Sequence, residues 1–251
     1  STIETFGDYA FANCSSLNSA TLAEELEVIG AHAFHSSGLT SIAIPTSVET
    51  VGAYAFYRCS SLKSATLAYG LKVIGTEAFR ASGLESIEIP STIETFGDYA
   101  FANCSSLKSA TLTYGLKVIG TEAFRASGLT SISIPSSVTT FGSYAFGFCP
   151  SLASAALADG LMVIGDNAFR ASGLTSITIP ASVTTIRGYA FESCGSLAEV
   201  VCRATAQPTL GTDAFTSIAA GAALYVPAAY VSDYEGGDWN SYFLGRIAAI
   251  P

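Results

Sequence analysis

At 251 residues, with a formal net charge of −9 and a pI near 4.6, the chain is repelled by phosphate backbones and anionic lipid surfaces, so no nucleic-acid partner is expected. Hydrophobic residues make up 49% and charged residues 12%, too apolar for a disordered chain, and the whole length is expected to fold. The charge-free run Ala214 to Ser232 holds Gly221, Pro227 and several polar residues, so no membrane insertion is expected of this segment.

A Gly-x-x-Ala-Phe core or a variant of it recurs along the chain and places Phe11, Phe34, Phe56, Phe79, Phe101, Phe124, Phe146, Phe169, Phe191 and Phe215 at spacings of 22 to 24 residues. A fixed period in that range marks a solenoid, in which each unit buries its apolar face against its neighbours. Two unit types alternate. One carries Tyr-Ala-Phe-x-x-Cys, as at Tyr54 to Cys59; the other carries Ala-Phe-x-x-Ser-Gly-Leu, as at Ala78 to Leu84, and is one residue shorter, which gives a true period of 45 residues. Ser1 to Leu17 is identical to Ser91 to Leu107, and Tyr69 to Leu84 to Tyr114 to Leu129, as expected of recent or maintained duplication. Ser1 opens in mid-repeat, so the chain is read as an excerpt of a longer precursor that carries its export signal elsewhere.

Within each unit a strand template follows the Cys or Ser: Leu-x-Ser-Ile-x-Ile-Pro, as at Leu84 to Pro90, or Leu-x-Ser-Ala-x-Leu, as at Leu62 to Leu67. Positions one, four and six should point inward, and two, three and five outward, with successive copies paired as a parallel ladder. Pro45, Pro90, Pro135 and Pro180 should end the pairing. The chain then returns through segments such as Val138 to Gly142 into the Gly-x-x-Ala-Phe turn, read as a tight bend at glycine and a short helical turn that drops the ring into a phenylalanine spine. Regularity fails from about residue 186, where Arg187 takes the glycine's place. Residues 1–202 are read as the repeat array and 203–251 as a divergent last repeat with a C-terminal cap plugged by Trp239.

These residues resemble a known family. The run Ile119 to Val138, Ile-Gly-x-x-Ala-Phe through Ile-x-Ile-Pro-x-x-Val, resembles the BspA-like leucine-rich repeats of bacterial cell-surface proteins, and the tail from Leu224 through Trp239 to Ile247 is similar to the C-terminal capping segment of Bacteroidetes members. The resemblance implies an α/β repeat solenoid, a right-handed leucine-rich-repeat superhelix with a parallel β ladder on one face and short helical turns on the other. It further implies a cell-surface or secreted location, adhesion to host or bacterial surface proteins or glycans, and no catalytic residues. A passive spacer or stalk within a larger surface protein is the alternative. The chain is expected to be monomeric and to need no cofactor.

Cys14, Cys59, Cys104, Cys149 and Cys194 recur every 45 residues, two rungs or about 10 Å apart, beyond the roughly 7 Å Cα limit for a disulfide. They are read as buried, reduced core thiols, with Cys202 likewise. His32 and His35 are too few for a zinc site, which takes three or four ligands, and no metal is expected. On the ladder face, third positions are serine from Ser19 to Ser176, and the candidate binding patch is the charge alternation Lys63, Glu85 and Lys108 with Glu88 nearby. On the opposite side, Arg80, Arg125 and Arg170 form an alternative binding row, unless they pair with Glu77, Glu122 and Asp166. Tyr9, Tyr54, Tyr99, Tyr144 and Tyr189 could stack on sugars, but their place beside Ala-Phe favours semi-buried packing.

Overall fold

The computed structural model describes residues 4–251, and these form a parallel β solenoid. The main ladder holds the four-residue strands from Ser41–Ile44 through Ser64–Leu67 and Ser86–Ile89 to Glu199–Cys202 and Ala223–Val226, and Ile247–Ala249 pairs in parallel with the last of these. Inward and outward positions fall as the templates require: Leu84, Ile87 and Ile89 are buried, whereas Glu85, Ser86 and Glu88 are exposed. The strands Ser41–Ile44, Ser86–Ile89, Ser131–Ile134 and Ser176–Ile179 each stop immediately before a proline.

Pairing along this ladder is uneven. Each Ile-x-Ile strand matches the next strand residue for residue, as in Ser41↔Ser64 to Ile44↔Leu67, Ser131↔Ser154 to Ile134↔Leu157 and Ser176↔Glu199 to Ile179↔Cys202. The step onward to the following Ile-x-Ile strand keeps only Ser64↔Ser86 in one place. Shallow depressions open in the ladder face beside two of these weak steps, one of about 580 Å³ along Ser154–Leu157 and one of about 420 Å³ along Ser109–Leu112. On this ladder the rungs are therefore joined in twos, an Ile-x-Ile unit with the Cys-bearing unit that follows it.

A second ladder, not foreseen in the sequence, runs through two-residue strands such as Val28–Ile29, Thr50–Val51 and Val73–Ile74, crosses Ile74↔Phe96 and Thr95↔Val118 as single bridges, and continues to Thr209–Leu210. Each inward residue of these strands supports the core, as Val51, Ile74 and Ile119 do.

The side opposite the main ladder corrects one expectation. The Gly-x-x-Ala-Phe segments are chains of turns rather than helical turns. Ala10, Ala12 and Cys14 each donate to the carbonyl three residues back, while Tyr9, Phe11 and Asn13 donate to Ala31, Ala33 and His35 of the next rung at 2.9, 2.7 and 2.6 Å. Residues in the left-handed region interrupt any helix, among them Tyr9, His32, Tyr54, Glu77 and Tyr99 with φ between 55° and 60°. The motif glycine does not supply the bend. A Cβ on Gly52 would sit 2.8 Å from the Ala31 backbone nitrogen of the preceding rung, so the position requires glycine because two backbones meet there.

This geometry stacks the phenylalanines one per rung from Phe11 to Phe215, with successive centroids 4.9–5.6 Å apart and ring planes within 13°. At the C-terminal end of the column, Trp239 and Phe243 lie against Phe215 at 5.4 and 5.5 Å. Trp239 is buried and donates its indole N–H to the Pro208 carbonyl at 3.1 Å, and Tyr234 donates its hydroxyl to the Ala204 carbonyl at 3.0 Å.

Cys59, Cys104, Cys149 and Cys194 line the core beside this column, and all six cysteines are free thiols. Each of the four sits against the serine of the preceding unit, Ser82 Oγ to Cys104 Sγ being 3.3 Å, and donates to a phenylalanine carbonyl, as Cys104 does to Phe79 at 3.1 Å. Burial raises the Cys104 thiol pKa to about 11 and shifts Cys59, Cys149, Cys194 and Cys202 in the same direction. Cys14 departs from the expected burial. It is exposed, and among the described residues it has neither the serine contact nor the phenylalanine carbonyl that the four buried thiols share. Iodoacetamide at neutral pH should therefore alkylate Cys14 in the folded protein and the other five only after denaturation, as read by peptide mass spectrometry. Native labelling of Cys104 at the Cys14 rate would contradict this picture.

Candidate functional surfaces

The solenoid offers three long surfaces, and the sequence-predicted residues divide between two of them. On the main ladder, Lys63 Nζ lies 3.5 Å from Glu85 Oε1 across adjacent rungs, with both side chains mostly in solvent. Lys108 follows on the next rung, where its backbone N–H donates to the Glu85 carbonyl at 2.9 Å, while the Glu85 carboxylate faces Lys63. Glu88 stands opposite Thr111 on the paired strand. The four charges thus form one exposed pair and two separate groups on a field of serine and threonine. An exposed pair of this kind contributes roughly 0–1 kcal/mol.

On the turn side, the three arginines are held between rings and carboxylates. Arg80 lies 5.8 Å from the Tyr57 ring centroid and 5.7 Å from that of Tyr99, and pairs with Glu77 at 2.7 Å. Arg125 packs over Phe148 at 5.0 Å and Tyr144 at 6.0 Å, and pairs with Glu122 at 3.3 Å. Arg170 lies over Phe148 and Tyr189, each at 5.9 Å, but its carboxylate is Glu192 at 2.7 Å rather than Asp166, which faces Arg187 at 3.6 Å. Asn167 stands where the earlier units have Glu77 and Glu122, so Arg170 turns to the next unit for its acid.

The same acids bind the tyrosines. Tyr54 and Tyr99 donate their hydroxyls to Glu77 and Glu122 at 3.0 Å, which raises both phenol pKa values. The Glu77 hydrogen bond likewise raises the Arg80 guanidinium pKa. In the first full unit His32 replaces the glutamate and stacks between Tyr9 and Tyr54 at 4.5 and 4.6 Å. Its Nδ1 is 3.3 Å from that of His35, whose pKa is lowered by partial burial, then by His32 and Arg58. The result is a semi-buried lattice in which most polar groups already have partners. Tyr57, Phe148 and Glu192 belong to it and were not among the predicted residues; their shared signal is position, immediately after the core phenylalanine or two residues beyond it.

The third surface lies along the short-strand ladder, and here large apolar side chains meet solvent. Tyr69 is 72% and Tyr114 75% exposed, and Val73, Val118 and Met162 are exposed in the same stretch of their units. Lys72 pairs with Glu49 at 2.5 Å and Lys117 with Glu94 at 2.8 Å beside them. Among the described residues, no helix is long and apolar enough to cross a membrane, and no group of three or more His, Cys, Asp or Glu is placed to hold a metal ion.

Residues 1–108 and 72–198 match the model of the BspA type leucine rich repeat region, in six copies. Among solved structures, a leucine-rich repeat protein from Bacteroides ovatus is 30% identical, with a TM-score of 0.81 over 88% of this chain and 58% of its own. This chain thus spans little more than half the length of that protein. A leucine-rich repeat protein from Eubacterium ventriosum is 22% identical over 86% of this chain and 68% of its own, with a TM-score of 0.52. The pneumococcal vaccine antigen PcpA is 18% identical over 99% of this chain and 77% of its own, with a TM-score of 0.51. These last two share the fold. No curated protein matches the chain.

Proposed function

The chain belongs to the BspA-type leucine-rich repeat family, and from that premise we propose that it is a non-enzymatic adhesion or ligand-binding segment, displayed on the cell surface or secreted, that engages host or bacterial surface proteins or glycans. The observation that carries this reading is the row of Tyr69, Val73, Tyr114, Val118 and Met162, exposed along one side of the solenoid while the phenylalanine column from Phe34 to Phe215 is buried. Exposed apolar residues gathered on one side of a soluble protein mark contact surfaces, and a spacer has no use for them. Repeat proteins of this family are generally non-enzymatic, which agrees with a binding role.

The test is an array of glycans, extracellular-matrix proteins and intact bacterial cells probed with the purified chain. Saturable binding to at least one class is expected. A flat response throughout would favour the spacer reading, which the uniform Ser/Thr ladder face supports.

A further inference from the structure

We propose that Tyr69 and Tyr114 are a stacking platform for a neutral, extended, β-linked glycan chain; the inference rests on the binding role just proposed and names its ligand class. The two tyrosines occupy the same turn in units 45 residues apart, each followed by a glycine with positive φ, +143° at Gly70 and +128° at Gly115, and each embedded in the identical run Tyr69 to Leu84 or Tyr114 to Leu129. Identical local sequence on the same backbone turn presents the rings equivalently. The intervening rung carries only Ser91 and Thr92 there, so the rings stand two rungs, or about 10 Å, apart with nothing bulky between them.

The fold does not need an aromatic side chain at this turn. Glu24 and Asp159 take the equivalent place in the neighbouring copies, and the leucine two residues on is buried in all four, at Leu26, Leu71, Leu116 and Leu161. Hydrogen bonds to the adjacent rung fix the turn, with Thr92 Oγ1 donating to the Leu71 carbonyl at 2.6 Å and Gly115 N–H to Ser137 Oγ at 3.2 Å. A tyrosine ring left 72–75% in solvent contributes little to the core, which leaves its face for a ligand.

Spacing and charge define that ligand. An extended β-linked pyranose chain turns over at each residue, so alternate rings present the same face to a flat surface, and a row of aromatic rings at two-rung spacing can stack on every second sugar. Lys72 and Lys117 are each neutralised by Glu49 and Glu94, and the chain carries −9 overall, so the row offers no attraction to sulfated or sialylated polymers. The same paired side chains, together with exposed Thr95, provide donors and acceptors for sugar hydroxyls.

The experiment is isothermal titration of the whole chain with cellohexaose, chitohexaose and the α-linked, helical maltohexaose, repeated on Y69A, Y114A and the double variant. Saturable binding of a β-linked hexaose, weakened at least about tenfold in the double variant with the melting temperature unchanged, is the expected result. Absence of binding to both β-linked oligomers, equal binding of maltohexaose, or binding untouched by the double substitution would each overturn the proposal. If the array still shows a protein ligand, only the glycan assignment fails, and loss of that protein's binding in Y69A/Y114A reassigns the row. Self-association of the wild-type chain abolished by the same variant would make the row a contact between copies and would also overturn the proposal.

Discussion

Replacing Phe124 by alanine is expected to destabilise the solenoid by about 3–5 kcal/mol, the usual cost of deleting a buried aromatic ring. The ring is fully buried, stacks on Phe101 at 5.3 Å and Phe146 at 5.6 Å, and meets Phe96 in a T-shaped contact at 5.8 Å, so its loss deprives three aromatic neighbours of a contact. Both backbone groups at this point are also bonded to the next unit: Phe124 N–H donates to the Ala145 carbonyl at 2.9 Å, and the Cys149 thiol donates to the Phe124 carbonyl at 3.2 Å. In a nearest-neighbour array, a weak rung in the middle uncouples the two halves, so urea unfolding followed by circular dichroism should show both a lower midpoint and a shallower transition. Phe11→Ala, in the less buried first unit, should cost less. A loss below about 1 kcal/mol for Phe124→Ala would mean that the column is not a principal source of stability.

Gly142→Ala is expected to cost about 1–3 kcal/mol, although it adds a single methyl group and would favour most extended backbones. A Cβ at Gly142 would lie 2.5 Å from the Thr121 backbone nitrogen and 2.7 Å from the Gly120 carbonyl carbon, neither of which can rotate away. Relief requires the rungs to separate, which lengthens the Gly142 N–H to Ile119 carbonyl bond, now 2.8 Å, and disturbs the turn ladder beyond it. The control is Gly7, the same motif position in the first unit, where a Cβ would have nothing within 4 Å. Gly7→Ala should leave the melting temperature unchanged. Equal effects at the two positions would show that the glycine is selected for flexibility, as its place in the motif first suggests.

The phenylalanine column is legible in the sequence because one residue type repeats at one period, and a ring of that size has only the core to enter. The ladder strands are legible for a similar reason, since Ile87 and Ile89 alternate with Ser86 and Glu88 over enough residues to give a period of two. Two-residue strands such as Thr50–Val51 fall below that threshold, and the second ladder stays hidden. The left-handed turns are hidden differently. Asparagine marks only a few of them, Asn13, Asn103 and Asn167, while tyrosine, glutamate, histidine, serine and alanine hold the same places in other units and give no signal of the conformation. Hydrogen bonds to the neighbouring rung hold those residues in place, and that information lies 21 to 23 residues away.

The candidate surfaces follow the same division. Arg80 with Glu77 is a contact three residues apart and can be read directly, whereas Arg170 with Glu192 depends on how rungs stack. Tyr69 and Tyr114 carry no sequence signal of exposure. Only comparison with Glu24 and Asp159 in the same turn, once the turn is known, separates a ring held out in solvent from one packed beneath a neighbour.

The coupling of rungs in twos has a mechanical side. Strands such as Ser131–Ile134 and Ser154–Leu157 hold each other along their full length, and the buried Ser127 and Cys149 clasp the same two rungs from within at 3.4 Å. On the main ladder, tension applied along the chain would meet most resistance inside each pair and least at the step between pairs. The protein would then pay out in lengths of 45 residues, each releasing about 150 Å of extended chain from about 10 Å of folded rod. A tether that lengthens in such increments caps the force reaching whatever bond lies at its end, so that a weak attachment could survive flow that would tear it from a rigid stalk.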